Sequence, residues 1–181
     1  MNSSYTSTID FGTVIKSLTF IKQPTRIVEF GILNGYSLQC FIDSSDNKCN
    51  ISAFDIFDEF KGNHASTEII DKFKQYPNVE IRYGDFYTQH LNIEDNSIDI
   101  LHVDIANNGD VLEFVLEKYM KKISSDGIIL FEGGSVDRDN VEWMDKYSKP
   151  KINPVIERNK DKFLFHTIGD FPSLTVIKTK I

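Results

Sequence analysis

Short apolar runs alternate with segments of helical period from near the start of the chain to about residue 147. Val14, Leu18 and Ile21 share one face of a helix predicted over residues 8–22. Arg26–Phe30 (RIVEF) follows as a strand, Gly31–Gly35 as a turn, and Tyr36–Asp43 opens a second helix. Ile51–Asp55 (ISAFD) is the second strand. Ile69, Ile70, Phe73 and Tyr76 then mark a helix over Glu68–Tyr76, which Pro77 stops. Val79–Tyr83 (VEIRY) and Ile98–Asp104 (IDILHVD) are the third and fourth strands. Asp110–Ile123 carries the longest apolar stripe: Val111, Leu112, Val115, Leu116, Tyr119, Met120 and Ile123. Lys118, Lys121 and Lys122 lie in its C-terminal part, where cations suit the helix dipole. Gly127–Glu132 (GIILFE) is the fifth strand and Val141–Tyr147 a short helix. After Pro150–Pro154 the rhythm changes. Phe163–Ile168 and Ser173–Lys178 are strands separated only by Gly-Asp-Phe-Pro, which predicts a hairpin.

Strands that are apolar throughout, alternating with helices, predict an α/β fold with a doubly wound, mostly parallel sheet covered on both faces. The terminal hairpin adds antiparallel strands at one edge. With no internal repeat, low-complexity tract or linker, the expectation is one domain over residues 1–181, an N-terminal helix within 1–22 and a core over 26–178. A chain of 181 residues suits a single domain.

Composition then narrows the partners. Twenty Lys and Arg against 27 Asp and Glu give a net charge of −7 with no basic cluster, a poor match for nucleic acid. Cys40 and Cys49 form no CxxC pair, and histidines at 64, 90, 102 and 166 have no zinc spacing. Both thiols are expected reduced in a cytoplasmic protein; a single disulfide is an alternative without support. The opening MNSSYTSTID lacks a basic stretch and an apolar run, so no secretory signal is expected there. No apolar run is long enough to span a membrane. The sequence says nothing of the oligomeric state.

In a doubly wound sheet, ligands bind beyond the carboxyl ends of the strands. Strand one ends in Glu29-Phe30-Gly31-Ile32-Leu33-Asn34-Gly35-Tyr36-Ser37. Gly31 suits a sharp turn, Gly35 lets the next helix begin close to a ligand, and that helix start offers N–H groups to an anion. Leu33 stands where a dinucleotide fingerprint would need a second close-approach glycine. Strand two ends in Asp55, 24 residues beyond Gly31, where a carboxylate can accept both hydroxyls of a ribose. Asp85, after strand three, could accept a hydrogen bond from an exocyclic amine beside the apolar wall of Phe86. Strand four ends in Asp104, followed by Asn107 and Asn108, and strand five in Glu132-Gly133-Gly134-Ser135. Two acids at adjacent strand ends share one crevice, where proximity can shift their pKa values. A tight turn or a capping Asp without any ligand is the plain alternative at each position.

In order and spacing the series resembles the class I S-adenosylmethionine-dependent methyltransferases. GILNGYS, with VDIANN and ILFEGG downstream, is similar to the small O-methyltransferase branches, including the catechol-type and the macrolide-sugar and cephalosporin-hydroxylase-like groups. The resemblance spans roughly residues 26–178. It implies a Rossmann-like seven-stranded sheet with its final strand antiparallel, and S-adenosylmethionine as cofactor. It also implies roles: Glu29 and the Gly31–Gly35 turn hold the methionine part, and Ser37 meets its carboxylate. Asp55 holds the ribose with Ile56 against adenine, Asp85 reaches the adenine amine, and Phe86 flanks the ring. Asp104 lies beside the reactive methyl group, with Glu132 as the second acid of the catalytic pair. Metal-dependent members place Asp-Asn or Asp-Asp after strand five, where this chain has Glu132-Gly133. Related members carry a His three residues beyond the strand-four Asp, where this chain has Asn107. Metal-free chemistry is therefore expected, the alternative being Mg²⁺ held by Asp104, Glu132 and waters.

His102 shares a strand face with Asp104 but is expected to be a buried, locally hydrogen-bonded histidine. Trp143, Met144 and Tyr147 are expected to pack, and Ser135, Asp137, Arg138 and Asp139 to form a solvated loop. The acceptor pocket would draw on residues 1–22, 86–96 and 133–160. The expected activity is methyl transfer to a small-molecule acceptor, a hydroxyl of a sugar or other metabolite. The alternatives are a nucleotide-binding α/β module, such as a nicotinamide-dependent oxidoreductase, and a non-catalytic module that binds S-adenosylmethionine without turnover.

Overall fold

The computed structural model describes residues 9–57 and 67–180. Its elements are α1 (Phe11–Lys22), β1 (Arg26–Phe30), α2 (Tyr36–Ser44), β2 (Asn50–Asp55), α3 (Glu68–Phe73), β3 (Val79–Tyr83), α4 (Phe86–Gln89) and β4 (Ile98–Val103). There follow α5 (Gly109–Phe114), β5 (Ile123–Glu132), α6 (Val136–Asp139), α7 (Glu142–Lys146), α8 (Ile152–Asn159), β6 (Phe163–Ile168) and β7 (Leu174–Thr179). The seven strands form one mixed sheet in the order β3-β2-β1-β4-β5-β7-β6. The first five run parallel, and β7 lies antiparallel to both β5 and β6. The expected hairpin therefore has only β7 reversed relative to the rest. Among the described residues no helix is long and apolar enough to cross a membrane.

Alternation along the strands divides the core into two layers. Val28, Phe30, Leu101, Val103, Ile129 and Phe131 face α5 and α8. Ile27, Ile51, Ile100 and Leu130 face Ile15 of α1 and Leu38 and Phe41 of α2. That second face is where α1 corrects the sequence reading. Its inward positions are Gly12, Ile15 and Thr19, whereas Ile21 is 77% exposed. Thr19 reaches the interior because its hydroxyl donates back to the Ile15 carbonyl at 2.8 Å, satisfying a polar group inside an apolar layer. Residues 1–8, part of the expected N-terminal segment, lie outside the described residues.

The helix expected over Asp110–Ile123 starts as α5 but continues as a π turn, Val115–Tyr119, and a 3₁₀ turn, Met120–Lys122. Tyr119, on the wider turn, donates to the Phe86 carbonyl at 2.6 Å. Lys122, expected to complement a helix dipole, is buried instead, donating to the Ile93 carbonyl and pairing with Asp95. The sequence reading also left out α6 and α8. Pro154 in the first turn of α8 is compatible with helix, because N–H groups there have no intrahelical partner. The cap comes from Asp139, whose carboxylate accepts from Ile152 and Asn153 N–H, both at 2.7 Å.

Candidate active site

The parallel ladders do not stop at the strand ends. Gly31 N–H donates to Phe54 O, Gly84 N–H to Asp55 O, and Asp104 N–H to Phe30 O. Residues just beyond β1, β2, β3 and β4 are thus pinned side by side along the carboxyl rim of the sheet. Gly31 has φ +88°, and a Cβ there would fall 1.8 Å from the Asp104 carbonyl oxygen. The first turn can lie against the end of β4 only with glycine at this position. Gly35 (φ +73°) serves packing rather than approach to a ligand, since its missing Cβ faces the Phe73 ring.

A cleft of about 760 Å³ opens above this rim. Gly31, Ile32, Asn34 and Ser37 form one wall, with Asp55, Ile56, Asp85 and Phe86 lining one end. His102, Asp104 and Glu132 also line it. Phe11 and Ile15 of α1, Lys149, and Pro172–Leu174 from the β6–β7 turn close the other side. The last group falls outside the three segments expected to build the acceptor pocket. No local signal in a Gly-Asp-Phe-Pro turn says that it folds back over the sheet end.

Glu29 is fully buried beneath the first turn, and Ser37 donates to its Oε1 at 2.5 Å. The Ser37 hydroxyl, expected to meet a ligand carboxylate, is therefore directed at Glu29; the backbone N–H groups at the start of α2 remain the anion donors. His102 Nδ1 lies 2.9 Å from the same Oε1, while Glu29 Oε2 is buried without a hydrogen-bond partner. A buried carboxylate oxygen without a donor is costly.

Asp55 ends β2 and links two segments: Oδ2 accepts from Ile32 N–H at 2.8 Å and Oδ1 from Phe57 N–H at 2.9 Å. These bonds fix the orientation of the carboxylate at the end of β2. Asp85 caps α4, accepting from Tyr87 N–H at 3.0 Å. Phe86 lines the end of the cleft, but its ring is only 4% exposed and stacks on Tyr119, with centroids 5.0 Å apart. Most of the ring belongs to the core, and the more exposed aromatic beside it is Tyr87.

Asp104 opens into the cleft, yet protein surrounds the carboxylate on its other sides. That desolvation, reinforced by Glu132 and Glu29 and opposed by His102 and Arg138, pushes its pKa up to about 6. Glu132 is different. Arg138 Nε and Nη2 fork onto its two oxygens at 2.7 and 2.9 Å, with Arg138 5% exposed and stacked on Trp143. In this bidentate pair the charge of Glu132, expected as a catalytic acid, is matched by a buried guanidinium. Arg138 and Asp139 are buried, not members of a solvated loop. Asn107 is also fully buried, its amide donating to the Val103 and Glu132 carbonyls. It braces the ends of β4 and β5 and cannot stand in for a base.

Around Asp104 and Glu132 the surroundings are already charged and hydrogen-bonded by protein groups. Arg138 already supplies the positive charge that a metal between Asp104 and Glu132 would bring, Gly133 offers no side chain, and the Asn107 amide is turned to carbonyls. Among the described residues no group of three or more His, Cys, Asp and Glu side chains is arranged to hold a metal.

A family model described as a methyltransferase domain matches residues 28–132, more than half of the chain. No sequence match was found among curated proteins. Solved structures do match in fold. The methyltransferase PaMTH1 of Podospora anserina, bound to S-adenosylhomocysteine, aligns with 19% identity and a TM-score of 0.68 over 97% of this chain and 80% of its own. An O-methyltransferase from Bacillus cereus in complex with the same compound gives 17% and 0.64, covering 98% and 84%. TomG from Streptomyces achromogenes, an O-methyltransferase of tomaymycin synthesis solved with S-adenosylmethionine, gives 14% and 0.65 over 96% and 82%.

Proposed function

Because this chain belongs to the methyltransferase-domain family, we propose that it transfers a methyl group from S-adenosylmethionine to a hydroxyl of a small-molecule acceptor, a sugar or another metabolite. The observation that carries this reading is the place of Asp104: an exposed carboxylate open to the cleft where the ends of β1, β4 and β5 meet. Bound there, the cofactor would supply a methyl group already activated by its sulfonium, so the protein has mainly to align and deprotonate.

The residues present fit that cofactor. The N–H groups opening α2 suit the carboxylate of its methionine part, with Glu29 buried behind that turn and holding Ser37. Asp55, fixed by Ile32 and Phe57, faces the ribose hydroxyls, with Ile56 beside the adenine and Asp85 toward its amine. Asp104 then takes the proton from the acceptor hydroxyl as its oxygen attacks. An ionised carboxylate near 6 is well matched to accept a proton at neutral pH. Phe11, Ile15 and Pro172–Leu174 shelter the acceptor from water.

S-adenosylmethionine and S-adenosylhomocysteine are expected to bind, and NAD is not. Ligand at about 100 times its dissociation constant stabilises a fold by about 2.7 kcal/mol, a rise in Tm of roughly 5–10 °C for a domain of this size. Thermal denaturation with each ligand reads this directly. No shift with either sulfur compound rules out the cofactor assignment, and a shift with NAD favours a nicotinamide-dependent module. Binding without methylated product across an acceptor panel indicates a non-catalytic domain.

A further inference from the structure

Two ionisable side chains sit inside an otherwise apolar layer. Glu29 on β1 and His102 on β4 are register partners in the sheet, 0% and 2% exposed. Their neighbours in that layer include Ile27, Ile100, Leu130 and Phe41, and the Phe41 ring packs edge-on against the imidazole at 5.6 Å. A leucine or valine at either place would satisfy packing alone. A buried acid and base are weak evidence for stability, because desolvation offsets their attraction. Their position is more informative than their energy. His102 borders the cleft, and Asp104 follows two residues later, about 7 Å along the same strand direction.

We propose that His102 is a positioning residue of the transfer site: an imidazolium, held by Glu29 through its Nδ1–H, that lies beneath Asp104 and keeps that carboxylate ionised toward the acceptor. The proposal rests on the reading of Asp104 as the group facing the acceptor. The surrounding charges favour it. Glu29 approaches from β1, Asp104 from the end of β4 and Glu132 from β5, the last already paired with Arg138 of α6. Cys40 of α2, near Glu29, is held neutral by burial, which pushes its thiol pKa up. Burial alone would lower the His102 pKa. The hydrogen bond and charge of Glu29, aided by Asp104 and Glu132, outweigh it and leave the imidazole raised. In return the imidazolium opposes the partial desolvation and the carboxylates Glu132 and Glu29 that raise Asp104. Without the histidine, Glu29 would be a buried carboxylate with no cation beside it, and Asp104 would lose the positive charge two residues before it.

Nuclear magnetic resonance titration of the folded chain tests this without turnover. With labelled histidine, both His102 ring nitrogens are expected to carry protons at about pH 7. In His102→Gln, which keeps a donor for Glu29 but no charge, the Asp104 titration is expected to move up by about one unit. The acid limb of the kcat profile should move with it, while KM for the acceptor stays unchanged. His102→Phe should give the same displacement. A neutral His102 in the wild-type chain overturns the proposal even if neither variant folds. An Asp104 midpoint that stays in place in His102→Gln overturns it as well, leaving His102 a packing and hydrogen-bonding residue. Failure of the methyl-transfer reading would appear separately, as no change in Tm with S-adenosylhomocysteine.

Discussion

Asp104→Asn is expected to lower turnover by about 10²–10⁴-fold, the usual worth of a positioned general base, while leaving S-adenosylhomocysteine affinity nearly unchanged. The amide keeps the size and polarity of the side chain but cannot accept the acceptor's proton. The cofactor's proposed contacts lie with the first turn, Asp55 and Asp85, so binding should survive. In the wild-type chain, activity should rise as pH passes upward through about 6, where Asp104 ionises. Folding provides the control. The Asp104 pKa is higher in the folded chain than its ordinary value of 3.8, so the folded state binds more protons and stability falls as pH rises between 3.8 and about 6. The variant lacks that penalty and should melt no lower than wild type above that range. Steady-state kinetics, calorimetry and a melting curve decide the matter. Full activity in a folded Asp104→Asn chain removes Asp104 from the chemistry.

Arg138→Ala is expected to produce the largest loss of stability, about 3–5 kcal/mol, as when one partner of a buried ion pair is removed. The guanidinium holds both Glu132 oxygens, donates to the Asn107 carbonyl and covers the Trp143 face. Its loss leaves a carboxylate at the end of β5 with no cation and opens space under α7. For a domain of this size the change corresponds to a Tm roughly 10 °C lower or more. Arg138→Lys should recover little of it, because an ammonium cannot span both oxygens. Urea denaturation measures the difference, and a change of under about 1 kcal/mol would place the pair among solvent-exposed bridges.

The parallel half of the sheet was legible because each strand is a short apolar or alternating run bounded by turn residues. Val79–Tyr83 is observed over the range its pattern predicts, and the acids Glu29, Asp55 and Asp104 mark strand ends in the sequence as in the fold. Elements whose determinants lie far away in sequence were not legible. The cap of α8 comes from Asp139, 13 residues upstream, while Pro150 and Pro154 locally suggest loop. Ile21 fits a helical stripe with Val14 and Leu18, but the packing of α1 on the sheet turns Ile15 and Thr19 inward instead. The same distinction governs the site. Glu132 reads as a free strand-end acid until Arg138, from the following helix, is seen to fork onto it. The pairing of His102 with Glu29 follows from β4 lying next to β1, a property of strand order that alternation along either strand does not contain.

The most direct test of the methyl-transfer reading is a crystal structure of the chain grown with S-adenosylhomocysteine. The ligand is expected in the cleft, its ribose on Asp55, its adenine between Ile56 and Asp85, its carboxylate at the start of α2 and its sulfur facing Asp104. A cleft without ligand at saturating concentration, or a ligand whose sulfur points away from Asp104, would contradict it.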